Sequence, residues 1–233
     1  MLPPKIIISP SLLSANFLLL YKEIESLQSI PNLWLHLDVM DGHFVPNLSF
    51  GPPVIQHLAR VSPIPLDVHI MATNPKSLFE ALKGLFIHNI TFHIESVTEK
   101  EGLSLFDIYS PYYESIGVTL RPSTPIEEIP ESFLRRCKLL LLMSVMPGFS
   151  GQKFLPHSYD RLKQLKQRCE ELHISPIIQV DGGVNKENAP LLIELGATNL
   201  VTGSYLFQNA QQRYPTIIEE LRKGPLKNGN THS

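Results

Sequence analysis

The sequence has little of what marks a secreted, membrane-spanning or nucleic-acid-binding protein. Its two cysteines, Cys137 and Cys169, are too few for a disulfide framework and predict reduced, packed thiols in a cytoplasmic protein. Apolar runs such as Leu139 to Met143 are far too short to span a bilayer, and residues 1–5 lack the pattern of a secretory signal. The formal net charge is −2 and the basic residues are scattered, which argues against nucleic acid or an anionic membrane as the main partner.

What the sequence does have is a regular alternation of apolar, strand-like runs with helix-like segments. Its 233 residues are 43% hydrophobic, enough to bury one sizeable core. Strands are predicted at residues 6–9, 33–38, 65–71, 89–95, 115–120, 139–145, 176–180 and 199–202. Helices are predicted at about residues 15–29, 53–60, 74–83, 158–172, 185–195 and 209–223, with a short one from residue 124. Residues 98–114 show no clear pattern.

The predicted strands are apolar throughout, as expected for a parallel sheet that is covered on both faces. An alternation of this length predicts a single-domain α/β protein with a closed (β/α)8 TIM barrel, and an open doubly wound sheet is the structural alternative. We expect residues 1–224 to form the barrel, which would be the catalytic domain. The polar residues 225–233 are predicted to be a disordered tail.

Polar side chains collect at the carboxyl ends of the predicted strands. His36 and Asp38 are two residues apart on one strand and point to the same side, and His69 and Asp181 lie at the ends of two others. In a barrel these ends meet at one face, where active sites lie. Two imidazoles and two carboxylates suit one divalent ion, and Zn²⁺, Fe²⁺, Mn²⁺ and Co²⁺ all accept such a set. Each residue alone is better explained as an isolated polar strand end, but the four together favour a metal site.

Three glycine-bearing loops indicate phosphate binding. Gly148, Phe149, Ser150 and Gly151 follow the sixth strand, Gly182 and Gly183 follow the seventh, and Gly203 and Ser204 follow the eighth. Glycine lets backbone N–H groups approach an anion closely, and the loops after the last two strands form the usual phosphate site of this barrel. Tight turns also require glycine, so one loop alone is a weak signal. These loops contain no lysine or arginine, so the backbone and Ser204 would have to hold the phosphate.

Three methionines, Met40, Met71 and Met143, end or follow predicted strands near the same place. Methionine at such positions is most often ordinary packing. The alternative is an apolar, polarizable wall that excludes water from a charged intermediate.

Several blocks of the sequence, taken in order, resemble the ribulose-phosphate 3-epimerase family. They are residues 8–17, 36–47, 66–71, 90–95, 143–152 and 180–183, and the most specific of them runs from Leu37 to Asn47. Two positions depart from the usual pattern of the family. Ser150 stands where the phosphate loop usually has a glycine, and Arg121 begins a block that usually begins with asparagine.

The resemblance implies a metal-dependent isomerase that interconverts D-ribulose 5-phosphate and D-xylulose 5-phosphate in the pentose phosphate pathway. His36, Asp38, His69 and Asp181 would bind the metal ion. Asp38 would accept the proton and Asp181 would donate it in the forward reaction, through a 2,3-enediolate. Ser11 and His69 would contact the substrate, and the glycine loops would hold its phosphate. One acid/base group on each face of the sugar is the minimum that inversion at C3 requires.

Other functions stay open at this point. One is epimerisation of a related ketohexose 6-phosphate on the same site. Another is a lyase reaction, although no lysine suited to a Schiff base is found at a strand end. A third is a non-enzymatic metal-binding protein that has kept the fold, because this barrel supports many functions. We expect a sugar phosphate as the ligand and a homo-oligomer as the assembly, since such barrels usually associate.

Overall fold

Eight parallel strands form one sheet in the computed structural model of the chain, which describes residues 6–224. The strands are β1 (Ile7–Pro10), β2 (Leu35–Met40), β3 (Leu66–Met71), β4 (Asn89–His93), β5 (Ser115–Leu120), β6 (Leu139–Met143), β7 (Ile177–Asp181) and β8 (Asn199–Thr202). Their order in the sheet is β1-β8-β7-β6-β5-β4-β3-β2. The two strands at the ends of this order, β1 and β2, are joined by parallel bridges from Ile8 to Leu33 and from Ser11 to His36. The sheet therefore closes on itself, and the predicted (β/α)8 barrel is confirmed. The predicted tail, residues 225–233, lies outside the described residues.

Helices follow the strands and cover the outside of the barrel. They are α1 (Leu20–Leu27), α2 (Pro52–Val61), α3 (Pro75–Ala81), α4 (Glu99–Tyr109), α5 (Glu131–Leu134), α6 (Ser158–Glu171), α7 (Ala189–Glu194), α8 (Ser204–Phe207) and α9 (Tyr214–Arg222). Helices α2, α3, α7 and α9 have proline in the first turn, where its missing N–H costs nothing. Across residues 6–224, no helix combines the length and the apolar character needed to cross a bilayer.

Helix α4 lies in the segment that showed no clear pattern. The helix starts with a capping box: the Thr98 hydroxyl accepts from the backbone N–H of Glu101, and the Glu101 carboxylate accepts from the N–H of Thr98. The apolar pattern is interrupted by Gly102. A Cβ atom there would lie 2.2 Å from the ring of Phe133 in α5, so the glycine lets these two helices pack closely. The weak periodicity thus reflects a tertiary contact that the local sequence does not reveal.

Alternate residues of each strand face the barrel axis, and in this chain those side chains form two contrasting regions. One is an apolar cluster around Trp34 and Leu141. The other is polar and fully buried: Asp67 accepts hydrogen bonds from Asn89 Nδ2 at 2.7 Å and from Gln179 Nε2 at 2.6 Å. Buried polar groups of this kind are costly unless they are paired, so the amides fix the Asp67 carboxylate in one position.

Candidate active site

The four predicted metal ligands lie together at the carboxyl ends of three strands. His36 and Asp38 belong to β2, His69 to β3 and Asp181 to β7. Asp38 is paired with His69 in the register of neighbouring strands, whereas Asp181 comes from a strand that is not adjacent to either. Each side chain offers one ligand atom, and the four atoms all lie within 4.8 Å of one another. The barrel thus brings together residues that are far apart in the sequence.

His36 is held in one orientation by a carboxylate that lies behind it. Its Nδ1 is 2.7 Å from Asp67 Oδ2, the oxygen that also accepts from Gln179. An ionised carboxylate only accepts, so the proton of the neutral imidazole lies on Nδ1 and the lone pair lies on Nε2. That Nε2 is buried and has no hydrogen-bond partner among the residues that the structure describes. It lies 3.4 Å from Asp38 Oδ1 and 3.7 Å from Asp181 Oδ2.

These observations fit a divalent metal ion. An unpaired imidazole lone pair that faces two carboxylates in a buried site is an electron-rich position that a cation would satisfy. His69 presents its Nδ1 to the same place, 3.1 Å from Asp38 Oδ1 and 3.8 Å from Asp181 Oδ2. Burial opposes a charge on His36, yet the carboxylates of Asp38 and Asp67 raise its pKa well above the usual value. The same negative field that attracts a proton attracts a metal ion.

The two carboxylates differ in their surroundings. Burial would raise the pKa of Asp38, but His36 and His69 outweigh it and hold that pKa well below its usual range. Burial and the neighbouring Asp38 carboxylate raise the pKa of Asp181 to about 6. A bound cation would lower both pKa values, so what matters is the difference between them. Two carboxyl groups with separated pKa values are suited to act as a base and an acid.

A cleft opens above these residues. It is lined by predicted substrate-binding residues: Ser11, Gly148, Phe149, Ser150, Gly151, Asp181, Gly182, Gly183, Gly203 and Ser204. The Ser11 hydroxyl donates to Asp38 Oδ2 at 2.6 Å. His69 is fully buried and is not among the lining residues, so its contact with substrate stays a prediction.

The loops after β7 and β8 have the backbone geometry of an anion site. Gly182 has φ +124°, and a Cβ atom there would lie 2.5 Å from Val145 Cγ2, so no other residue fits without rearrangement. Within the described part of the chain, no hydrogen bond is donated by the backbone N–H groups of Gly182, Gly183, Gly203 or Ser204. None of the residues lining the cleft is lysine or arginine. Free N–H groups are therefore the donors that these loops offer to an anion.

The serine in the loop after β6 causes no backbone strain. Gly148 and Gly151 have φ values of +126° and +75°, whereas Ser150 is not among the residues with positive φ. A side chain is therefore tolerated at residue 150 but not readily at Gly148 or Gly151. Asn47 Nδ2 donates to the carbonyl of Gly148 at 2.8 Å and connects this loop to the one after β2.

The three predicted wall residues, Met40, Met71 and Met143, all line the cleft and are almost fully buried. Met146, which is 48% exposed, lines the same cleft and was not predicted. The floor of the cleft therefore combines a charged cluster with flexible apolar side chains.

Asp67 is a site residue that the sequence reasoning missed. It stands two residues before His69 and so faces the same side of β3. It is also paired with His36 in the register of β2 and β3. The spacing was visible in the sequence, but the register that places Asp67 behind His36 was not.

The Asp67→Asn variant is expected to bind Zn²⁺ about 10–100-fold more weakly than the wild type. Both oxygens of Asp67 accept hydrogen bonds, whereas asparagine has one acceptor oxygen and no charge, so it would hold the Nδ1 proton of His36 less firmly. Competition with a chromogenic chelator measures the affinity. Glu114→Gln is the matched control, because Glu114 pairs with His88 at the surface. Equal affinity in Asp67→Asn and the wild type would contradict this role.

Taken together, the fold and the site define a class of protein: a (β/α)8 barrel enzyme with a candidate metal site and a candidate anion site at the carboxyl ends of its strands. Residues 7–207 match the model of the ribulose-phosphate 3 epimerase family. The chain therefore belongs to the ribulose-phosphate 3-epimerase family, and it is an isomerase.

Curated relatives agree along nearly their whole length. A ribulose-phosphate 3-epimerase of Helicobacter pylori is 38% identical over 206 residues, which cover 88% of this chain and 93% of the relative. The cytoplasmic isoform of the ribulose-phosphate 3-epimerase of Oryza sativa is 38% identical, and the match covers 93% of this chain and 92% of the relative. The ribulose-phosphate 3-epimerase of Bacillus subtilis is 37% identical, and the match covers 92% of this chain and 97% of the relative.

Among solved structures, a chain of the tryptophan synthase complex of Pyrococcus furiosus superposes with a TM-score of 0.65. The match covers 95% of this chain and 99% of that chain at 14% sequence identity. A likeness at this level of identity shows the barrel fold alone.

Proposed function

We propose that this enzyme interconverts D-ribulose 5-phosphate and D-xylulose 5-phosphate by removing and returning the proton at C3. The observation that carries the proposal is the placement of two carboxylates, Asp38 on β2 and Asp181 on β7, at the floor of one cleft. The C3 proton is acidic because it lies next to the C2 carbonyl, so a carboxylate can remove it to form a 2,3-enediolate. A second carboxyl group on the other face returns a proton and inverts the carbon.

Asp38 is assigned as the base for ribulose 5-phosphate, because its surroundings favour the ionised form. Ser11 donates to its Oδ2 and so orients the carboxylate. Asp181 is assigned as the acid, since burial and the Asp38 charge favour its protonated form. In the reverse direction the two groups exchange roles. Positioned acid/base groups of this kind contribute about 10²–10⁴-fold to a rate.

We further propose that His36, Asp38, His69 and Asp181 hold one divalent ion, Zn²⁺, Fe²⁺, Mn²⁺ or Co²⁺. When bound, such an ion supplies Lewis-acid stabilisation of negative charge on the substrate oxygens. The chain's own contribution is to orient both imidazoles and to keep the site buried, where electrostatic interactions are strong.

The loops after β6, β7 and β8 are proposed to bind the 5-phosphate through free backbone N–H groups and Ser204. This fixes one end of the sugar, and C3 then lies over the carboxylates. Met40, Met71 and Met143 would cover the enediolate and exclude water. We also propose that the substrate contacts His69, which is fully buried behind the residues that line the cleft.

The biological setting is part of the same proposal. We propose that residues 1–224 form the catalytic domain, that the enzyme works in the pentose phosphate pathway of the cytoplasm, and that it forms a homo-oligomer. The cysteines are free, as is usual in a reducing compartment. Leu18 and Leu48 are 92% and 72% exposed beside the Phe17–Phe50 contact, and exposed apolar groups of this kind are common at subunit interfaces.

The test is incubation with D-ribulose 5-phosphate in deuterated water, followed by NMR. We expect D-xylulose 5-phosphate that carries deuterium at C3. A parallel incubation with a ketohexose 6-phosphate addresses the alternative substrate of the same site. Faster epimerisation of the hexose would overturn the pentose assignment, and no exchange with either sugar would overturn the proposal.

A further inference from the structure

The second imidazole of the site, His69, is not held by a carboxylate in the way that His36 is. Its Nε2 lies 2.9 Å from Nε2 of His93, at the end of β4. His93 is fully buried, and its Nδ1 lies 3.3 Å from Oε2 of Glu95. The two rings stack with centroids 5.1 Å apart and an interplanar angle of 23°. A continuous row of polar groups therefore runs from the metal site to Glu95.

The position of each proton in this row follows from the contacts. The two Nε2 atoms are close enough that one of them donates and the other accepts. A His69 that presents the lone pair of Nδ1 to a metal ion carries its proton on Nε2, so His69 donates and His93 accepts. A neutral His93 then carries its own proton on Nδ1, where it faces Glu95. When a metal ion is bound to Nδ1 of His69, this arrangement gives each N–H in the row an acceptor.

Glu95 is fixed at the far end of the row by the loop that follows β5. Its Oε1 accepts from the backbone N–H of Arg121 at 2.7 Å and from the Thr124 hydroxyl at 2.5 Å. Burial opposes ionisation, but hydrogen bonds from His93, Thr124 and Arg121 lower the pKa of Glu95 to about 2. The carboxylate is therefore an acceptor over the whole neutral range.

A cover of two side chains lies over His93. The ring of Phe44 is 4.8 Å from the ring of His93, and the Arg121 guanidinium lies 4.2 Å from the centre of the Phe44 ring. Arg121 Nη2 also donates to the carbonyl of Phe44 at 2.8 Å. The arginine that departs from the usual sequence of the family thus ties the loop after β2 to the end of β5, over the buried row.

We propose that His93 and Glu95 are positioning residues that hold His69 in the tautomer whose bare Nδ1 faces the metal ion. This inference rests on the proposed metal site. The Asp67 carboxylate orients His36 directly, whereas the Glu95 carboxylate orients His69 through the intervening imidazole of His93. Groups that orient metal-binding histidines in this way affect metal affinity by about 10–100-fold.

Zn²⁺ affinity of the full chain, measured by competition with a chromogenic chelator, tests the proposal. His93→Phe keeps a ring but removes the acceptor, and we expect affinity to fall about 10–100-fold. His93→Gln offers an amide oxygen to His69 and is expected to recover most of that loss. Thr119→Val is the matched control, because Thr119 is paired with His93 on the neighbouring strand, is buried, and has a hydroxyl with no hydrogen-bond partner among the described residues. It should bind as the wild type does.

A spectroscopic signature separates positioning from packing. In ¹⁵N-labelled protein loaded with Zn²⁺, we expect the proton of His69 on Nε2 and that of His93 on Nδ1. A proton on the other nitrogen of His69, equal affinity in all variants, or an equal loss in Thr119→Val and His93→Phe would overturn the inference. A wild type without Zn²⁺ affinity would overturn the metal site as well. If the variants bind Zn²⁺ as expected but the wild type does not epimerise ribulose 5-phosphate, this inference stands and the proposed function is overturned.

Discussion

Replacing either Asp38 or Asp181 by asparagine is expected to lower turnover by about 10²–10⁴-fold and to leave the fold intact. Asparagine keeps the shape and one ligand oxygen of aspartate but cannot accept a proton from carbon. Both side chains lie at the floor of the cleft, and neither forms a helix cap or a turn whose loss would disturb the backbone. Coupled assays of xylulose 5-phosphate formation measure the loss.

The two variants should differ in which sugar still exchanges its C3 proton with solvent. Asp181→Asn retains the Asp38 base, so we expect it to exchange the proton of ribulose 5-phosphate but not that of xylulose 5-phosphate. Asp38→Asn should show the reverse pattern. NMR in deuterated water detects exchange without net epimerisation, and this crossed result would assign each carboxylate to one face of the sugar.

A surface replacement controls for the change of charge. Asp107→Asn removes a carboxylate that pairs with Arg136 on the outside of the barrel, and it should leave both turnover and exchange unchanged. Thermal unfolding of the variants checks the fold. Near-normal turnover in both Asp38→Asn and Asp181→Asn would sink the acid/base assignment, and loss of both exchange reactions in each variant would remove the division of roles.

The positions of the four candidate metal ligands could be predicted because the strands of a barrel all place their carboxyl ends at one face. His36, Asp38, His69 and Asp181 each stand at the carboxyl end of an apolar run, and closure brings all such ends to one face. No contact had to be known for this prediction. Their convergence within 4.8 Å therefore follows from the order of strands and from a side-chain period of two.

The residues behind the ligands could not be predicted in this way. Asp67 lies behind His36 because of the register between β2 and β3. In the register between β3 and β4, His69 is paired with Thr91, and His93, two residues further along β4, contacts His69 diagonally. His93 and Glu95 stand two residues apart near the end of a predicted strand, but nothing in the sequence connects them to His69. Strand register is a tertiary property, so the residues that support a site are harder to predict from the sequence than the residues that form it.

The predicted start of the first helix was inaccurate for a related reason. A single helix was predicted over residues 15–29, but only Leu20–Leu27 is α-helical. Two short 3₁₀ turns come before it, Leu12–Ser14 and Phe17–Leu19. Ser11, which precedes both turns, forms a backbone bridge with His36 and a hydrogen bond with Asp38. Contacts with the site therefore determine the backbone of this segment more than helical propensity does. Local propensity yields to tertiary contacts where a loop lines a functional cleft.

Removing the metal ion is the second change with a large expected effect. Enzymes generally accelerate their reactions by at least about 10⁶-fold, and positioned acid/base groups supply about 10²–10⁴-fold of this. The remainder, at least about 10²-fold, is expected to disappear when the protein is treated with a strong chelator and desalted. Turnover is then measured after separate additions of Zn²⁺, Fe²⁺, Mn²⁺ and Co²⁺, and at least one of them should restore it.

Metal-free protein also separates the ion's contribution from that of the carboxylates. In the absence of the ion, negative charge on the substrate oxygens is not stabilised, so exchange at C3 should fall for both sugars together and not in the crossed pattern of the two asparagine variants. A chelated protein that folds, melts in one transition and regains activity with added metal excludes damage by the treatment. Full turnover in rigorously metal-free protein would contradict the need for an ion but would leave the two-carboxylate scheme in place, because the crossed exchange depends only on which face of the sugar each aspartate contacts.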